Sequence, residues 1–99
     1  MNDIKKMTNW YVDATIERMK NAVDFATVTL LPKGTKRAID FAVGSIREAF
    51  EQANGVLGFN MVYAEAITEE EQVELYRKLY KAKLYWEDRA LDIGNEKEQ

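Results

Sequence analysis

Apolar residues recur at helical spacing in three stretches of this chain. In the first, Val12, Ile16, Met19, Val23, Ala26 and Leu30 are spaced three or four apart, an apolar stripe at the period of an α-helix. Asp13, Glu17, Lys20, Asn21 and Asp24 occupy the opposite side, and Ile4, Met7, Tyr11 and Ala14 begin a second, displaced stripe. The pattern predicts a helix over about 3–30. Its end is weakened by the β-branched run Thr27-Val28-Thr29, and Pro32 stops it, because the residue before a proline avoids the α region.

A second helix is expected over about 35–54. Thr35 is its expected N-cap, with Gly34 making the tight link before it. Ile39, Ala42, Val43, Ile46, Phe50 and Ala53 form the core stripe. Ala38, Ala42, Ser45 and Ala49 make a neighbouring row of small residues that lets another helix approach closely. Asn54-Gly55 is expected to close the helix, with Gly55 in the left-handed conformation.

The connector 56–67 is apolar and reads two ways. Leu57, Phe59, Met61 and Tyr63 alternate as a strand would, whereas Phe59, Val62, Tyr63 and Ala66 fit a short helix. The short helix is favoured, because a lone strand has nothing to pair with in a helical chain. The third helix, over 69–93, has the clearest start: Thr68-Glu69-Glu70-Glu71 is a capping box, with three acids at the positive end of the helix dipole. Gly94 is expected beyond its end, and 95–99 form a polar tail. The reading is an all-α fold in a single domain over 1–94, with three main helices, the first two as an antiparallel hairpin.

The third helix carries more apolar surface than one packing face needs. At about 100° per residue, Leu75, Leu79, Ala82, Trp86, Ala90 and Ile93 fall in one arc. Val73, Tyr76, Tyr80, Leu84 and Leu91 fall in a second, with Lys83 and Glu87 between. One face can pack on the other two helices; the other calls for a second copy of the chain or a target.

Composition then removes whole classes of chemistry. The chain has no histidine, no cysteine and a single serine, Ser45. That leaves out most side chains used for nucleophilic catalysis, proton transfer near neutral pH and transition-metal binding. An enzyme is not expected, nor a cofactor. The net charge is −3, with no clustered positive charge of the kind nucleic acid selects. A helix-turn-helix around Asn54-Gly55 fails because Val56 to Ala66 hold no Lys or Arg. No apolar run opens the chain, and the charge-free stretch from Gly55 to Ala64 is far short of the roughly 20 residues that span a bilayer. A soluble cytoplasmic protein is expected, of a composition that suits a bacterial or phage accessory protein.

Three groups of residues could carry function. Tyr76, Tyr80, Lys83, Leu84, Glu87 and Leu91, with Trp10 and Tyr11 on the first helix, form a candidate partner-binding set. Lys83 and Glu87, four apart, can equally be an ordinary ion pair at a rim. Lys33, Thr35, Lys36 and Arg37 place three cations beside a helix N-terminus, a candidate anion site, although a capped start with solvated lysines explains them too. Glu65, Glu69, Glu70, Glu71 and Glu74, with Asp88 and Asp92, could hold Mg²⁺, but they read better as a solvated acidic face, so no metal site is assigned. Two tryptophans, five tyrosines and four phenylalanines exceed what one small core holds, and aromatic surplus favours interfaces. The expected function is a small helical protein-interaction module (adaptor, inhibitor or accessory component) that self-associates through the third helix. The alternative is a module that sequesters an anionic small molecule such as a nucleotide.

Overall fold

In the computed structural model, the backbone is described for residues 3–98 and the side chains for residues 3–93. Three long helices account for most of the chain: α1 (Asp3–Phe25), α2 (Thr35–Val62) and α3 (Glu69–Glu98). The buried side of α1 is Thr8, Val12, Thr15, Met19 and Val23. Two of these are threonines, which a reading by hydrophobicity passes over. Their hydroxyls donate back to the carbonyls of Ile4 at 2.7 Å and Tyr11 at 2.8 Å, so each is buried with its polar group satisfied.

The expected first helix continues to residue 30, but not as α-helix throughout. Ala26–Leu30 is a π-helical turn, with the Leu31 amide donating to the Ala26 carbonyl. The β-branched run lies here. The Thr27 hydroxyl donates to the Val23 carbonyl at 2.8 Å, competing for an acceptor of the α ladder. Leu31–Lys33 then tighten into a 3₁₀ turn containing Pro32. Gly34 has φ 152°, a conformation that glycine adopts far more readily than other residues, and its carbonyl accepts the first α2 bond from Ala38. Gly34, and not Thr35, is therefore the cap residue of α2, with no side-chain cap bond.

α2 does not stop at Asn54-Gly55. It runs on through Gly55 and Gly58 to Val62, absorbing half of the expected connector. The reason is Leu57, which extends the buried series Ala38, Ala42, Ile46, Ala49, Ala53 by one more turn and is itself fully buried. Burying a leucine is worth about 2 kcal/mol, which offsets the roughly 1 kcal/mol that each of the two helical glycines, Gly55 and Gly58, costs. The small row sits at the centre of the α2 face and the larger Val43 and Phe50 flank it, half-buried.

After α2 the chain reverses through Glu65, which has φ 49°, and Ile67, which is buried. The capping box forms as expected: the Glu71 amide donates to Thr68 Oγ1 at 3.1 Å and the Thr68 amide to Glu71 Oε1 at 2.9 Å. α3 then continues through Gly94 to Glu98, so four of the five expected tail residues are helical, and Gln99 lies outside the described residues.

Thr8 near the start of α1 bonds Asn60 near the end of α2, Arg18 bonds Gln52, and Phe25 meets Phe41 near the start of α2. Contacts between these two helices thus run in opposite chain directions. Those between α1 and α3, Lys5 to Glu71 and Asp13 to Lys78, run in the same direction. The result is a rod of 51 × 19 × 15 Å. Its accessible surface is 6557 Å², against about 5,800 Å² for an average monomer of this mass. Two core clusters lie along the rod, one around Met19, Ile46 and Ala90, the other around Val12, Leu57 and Leu79, and Phe50 packs on both.

Candidate functional site

The residues expected to form one partner-binding set divide between two grooves. The first lies between α2 and α3. Tyr76 and Tyr80, four apart on α3, stack with ring centroids 6.0 Å apart and planes 13° from parallel. Phe50 from α2 meets them at 5.7 and 6.2 Å. Lys83 Nζ stands 5.7 Å from the centroids of both Phe50 and Tyr80, a cation over aromatic faces. The same nitrogen donates to Glu87 Oε1 at 2.7 Å, and Arg47 Nε donates to Glu87 Oε2 at 2.9 Å.

Burial works against the charge on Glu87 and is the largest single influence on it. The hydrogen bonds and charges of Lys83 and Arg47 together outweigh it and hold the carboxyl below the usual carboxylate range. So Tyr76, Tyr80, Lys83 and Glu87 do come together, but they satisfy one another. Leu84 and Leu91 are about half exposed on the outer flank of α3. Phe50 and Arg47 complete this cluster, and their place across from α3 was not legible on the α2 pattern alone.

The second groove lies between α1 and α2. Trp10 and Tyr11 are here, away from the α3 tyrosines. With Ile4, Met7, Val56 and Asn60 they line an apolar recess of about 220 Å³. The Asn60 amide is already used, donating to Thr8 Oγ1 at 2.7 Å. Met7 and Trp10 are 66% and 70% exposed. One turn beyond the recess, Phe59 and Tyr63 pair at 5.3 Å and are 57% and 76% exposed. Sequence reading placed Phe59 and Tyr63 on a connector. The short helix favoured there already joined Phe59 to Tyr63 at i, i+4, but as a separate element and not as the last turn of α2.

Farther along the same groove a polar bridge crosses it: Arg18 Nη1 donates to Gln52 Oε1 at 3.0 Å and Gln52 Nε2 to Glu48 Oε1 at 3.3 Å. Beyond the bridge Phe25 and Phe41 meet at 5.3 Å over a second recess.

The expected anion site does not assemble. Lys36 Nζ donates to Asp40 Oδ2 at 2.8 Å; that hydrogen bond, and then the charge of Asp40, raise the Lys36 ammonium above its ordinary value. Lys33, Thr35 and Arg37 flank the turn without a shared recess among the described pockets. Among the acids, Glu71 is held below the usual carboxylate range, first by its hydrogen bond from Lys5 and then by that from the Thr68 amide. Among the described residues no group of three or more acids is placed to hold a metal ion, and no helix is long and apolar enough to cross a membrane.

No protein-family model matches the chain, and no curated protein or solved structure matches it.

Proposed function

We propose that this chain is a small helical protein-interaction module that works by docking its α1/α2 face on another protein surface, and that its business is binding and not catalysis. The observation that carries the reading is the apolar opening at one end of that face. Trp10, Met7 and Tyr63 each expose two-thirds or more of their surface beside a preformed recess. Soluble chains scatter single apolar residues over their surface, but gather them where something docks. Large aromatic side chains beside an apolar recess are the usual anchors of such contacts.

The sequestering alternative draws less support. Lys36 and Lys83, two of the four cations it would use beside Lys33 and Arg37, are engaged by Asp40 and Glu87, and the apolar recess is lined by no charged residue.

An apolar fluorescent dye tests the proposal on the chain diluted until light scattering reads a monomer. The dye should bind and brighten, and the Met7→Ala/Trp10→Ala double variant should lose most of that signal while keeping its helical circular dichroism. A monomer that leaves the dye dark would overturn the reading.

A further inference from the structure

We infer that the occupant of the α1/α2 face is a second copy of this chain, seated face to face about a twofold axis parallel to the helices. The inference rests on the interaction reading above and names its partner. It differs from self-association through α3, whose aromatic residues are partly spent on α2.

The first argument is the layout of the face. On α1, Met7, Trp10, Ala14, Arg18, Asn21 and Phe25 follow one another at helical spacing. On α2, Phe41, Ser45, Glu48, Gln52, Val56, Phe59 and Tyr63 do the same. The two stripes are matched level by level. Met7 and Trp10 share the end of the rod that holds Val56 and Phe59, Arg18 is level with Gln52, and Phe25 is level with Phe41. A twofold axis along the groove keeps every level and exchanges the helices. It lays α1 of one copy over α2 of the other, apolar level on apolar level.

Charge selects that axis. With the axis along the groove, Arg18 of each copy comes over Gln52 and Glu48 of the other. An axis across the helices would instead set Arg18 against Arg18. An interface made by one patch with itself must be complementary to itself, and this patch is so for the first axis only. Either axis makes every neighbouring helix pair across the contact antiparallel, which suits the helix dipoles, so the charges alone choose between the two.

The area fits as well. Ile4, Met7, Trp10, Phe25, Phe41, Phe59 and Tyr63 expose between 42% and 76% of their surface. At about 200 Å² for a whole large side chain, their open parts amount to about 800 Å², the share that each partner contributes to a stable interface of standard size.

Light scattering behind a sizing column, over a wide range of loading concentrations, tests the inference. The wild-type mass should rise from 11.5 kDa to twice that value. Trp10→Ala should move the midpoint to a concentration about tenfold higher or more, as the loss of an anchoring aromatic does. Arg18→Glu and Glu48→Arg should each stay monomeric when alone, and an equimolar mixture of the two should recover the dimer, because both crossed pairs are then opposite in charge. In a Trp86→Phe background, where Trp10 is the only tryptophan, its emission should shift to the blue as the mass rises.

A wild-type chain that stays monomeric at every concentration would overturn the second-copy inference. So would a dimer that ignores all three substitutions. The dye separates the two readings: a monomer that binds dye at Met7 and Trp10 keeps the docking face and loses the second copy, whereas a monomer that binds none loses both.

Discussion

The two long grooves of this rod share one wall, α2, yet they end up in opposite conditions. Between α2 and α3, two tyrosine rings stack and a phenylalanine meets both at an angle, one lysine lies over two of the three rings, and a glutamate ties that lysine to an arginine from across the groove. Between α1 and α2, the aromatic residues stand at the ends, the charged residues in the middle, and the apolar ends lie open. Both grooves are rich in aromatic side chains, so aromatic content alone does not mark a docking surface. What decides is whether a charge of each sign lies close enough to cover the rings from within the same chain.

Four substitutions break or sharpen that contrast. Leu79→Ala removes a fully buried side chain from the cluster that lies beneath both grooves, so it should cost about 2–5 kcal/mol and loosen both; urea unfolding measures it. Glu87→Gln breaks the ion network of the closed groove alone and should cost about 1–2 kcal/mol at neutral pH, since Lys83 is largely buried and Arg47 is not. Because Glu87 is held below its usual value, folding favours its charged form. That stabilisation is complete above the unfolded value near 4.3 and fades as the pH falls through the lower folded value. The gap between wild type and Glu87→Gln should therefore close below about pH 4.

Gly55→Ala acts on the shared wall without touching either groove. A β-carbon at Gly55 meets nothing within 4 Å, so the change should add about 0.5–1 kcal/mol and raise the melting temperature. Trp10→Ala is the smallest. In a dilute monomer it should change stability by less than about 0.5 kcal/mol, because its ring is mostly in solvent already. A large loss there would mean that Trp10 belongs to the core and that the contrast between the grooves is false.

The sequence was most legible where structure is set by neighbouring residues. Thr68 and Glu71 cap α3 through atoms three residues apart, and Pro32 with Gly34 ends one helix and starts the next. It was least legible where a local signal met a distant one. Gly55 carries a strong stop signal, but Leu57 finds its place against α1 and α3, and packing decides. α3 likewise runs past Gly94, to Glu98. Thr8 and Thr15 were hidden by their polarity, since only the helix supplies the carbonyls that let them be buried. At the site, the pairing of Lys83 with Glu87 follows from spacing on one helix. The separation of Trp10 from Tyr80 does not, because it depends on which side of α1 meets α2.

The two reversals of the chain are unequal, and the inequality gives the rod a weak end. Gly34 makes one turn at little cost, whereas Glu65 makes the other in a left-handed conformation that costs a residue with a β-carbon about 1–2 kcal/mol. Opening the Glu65 turn releases that strain at once; opening the Gly34 turn releases none. A protease offered the folded chain should therefore nick it first near Glu65, severing α3 from the α1–α2 pair and leaving the proline-braced turn intact.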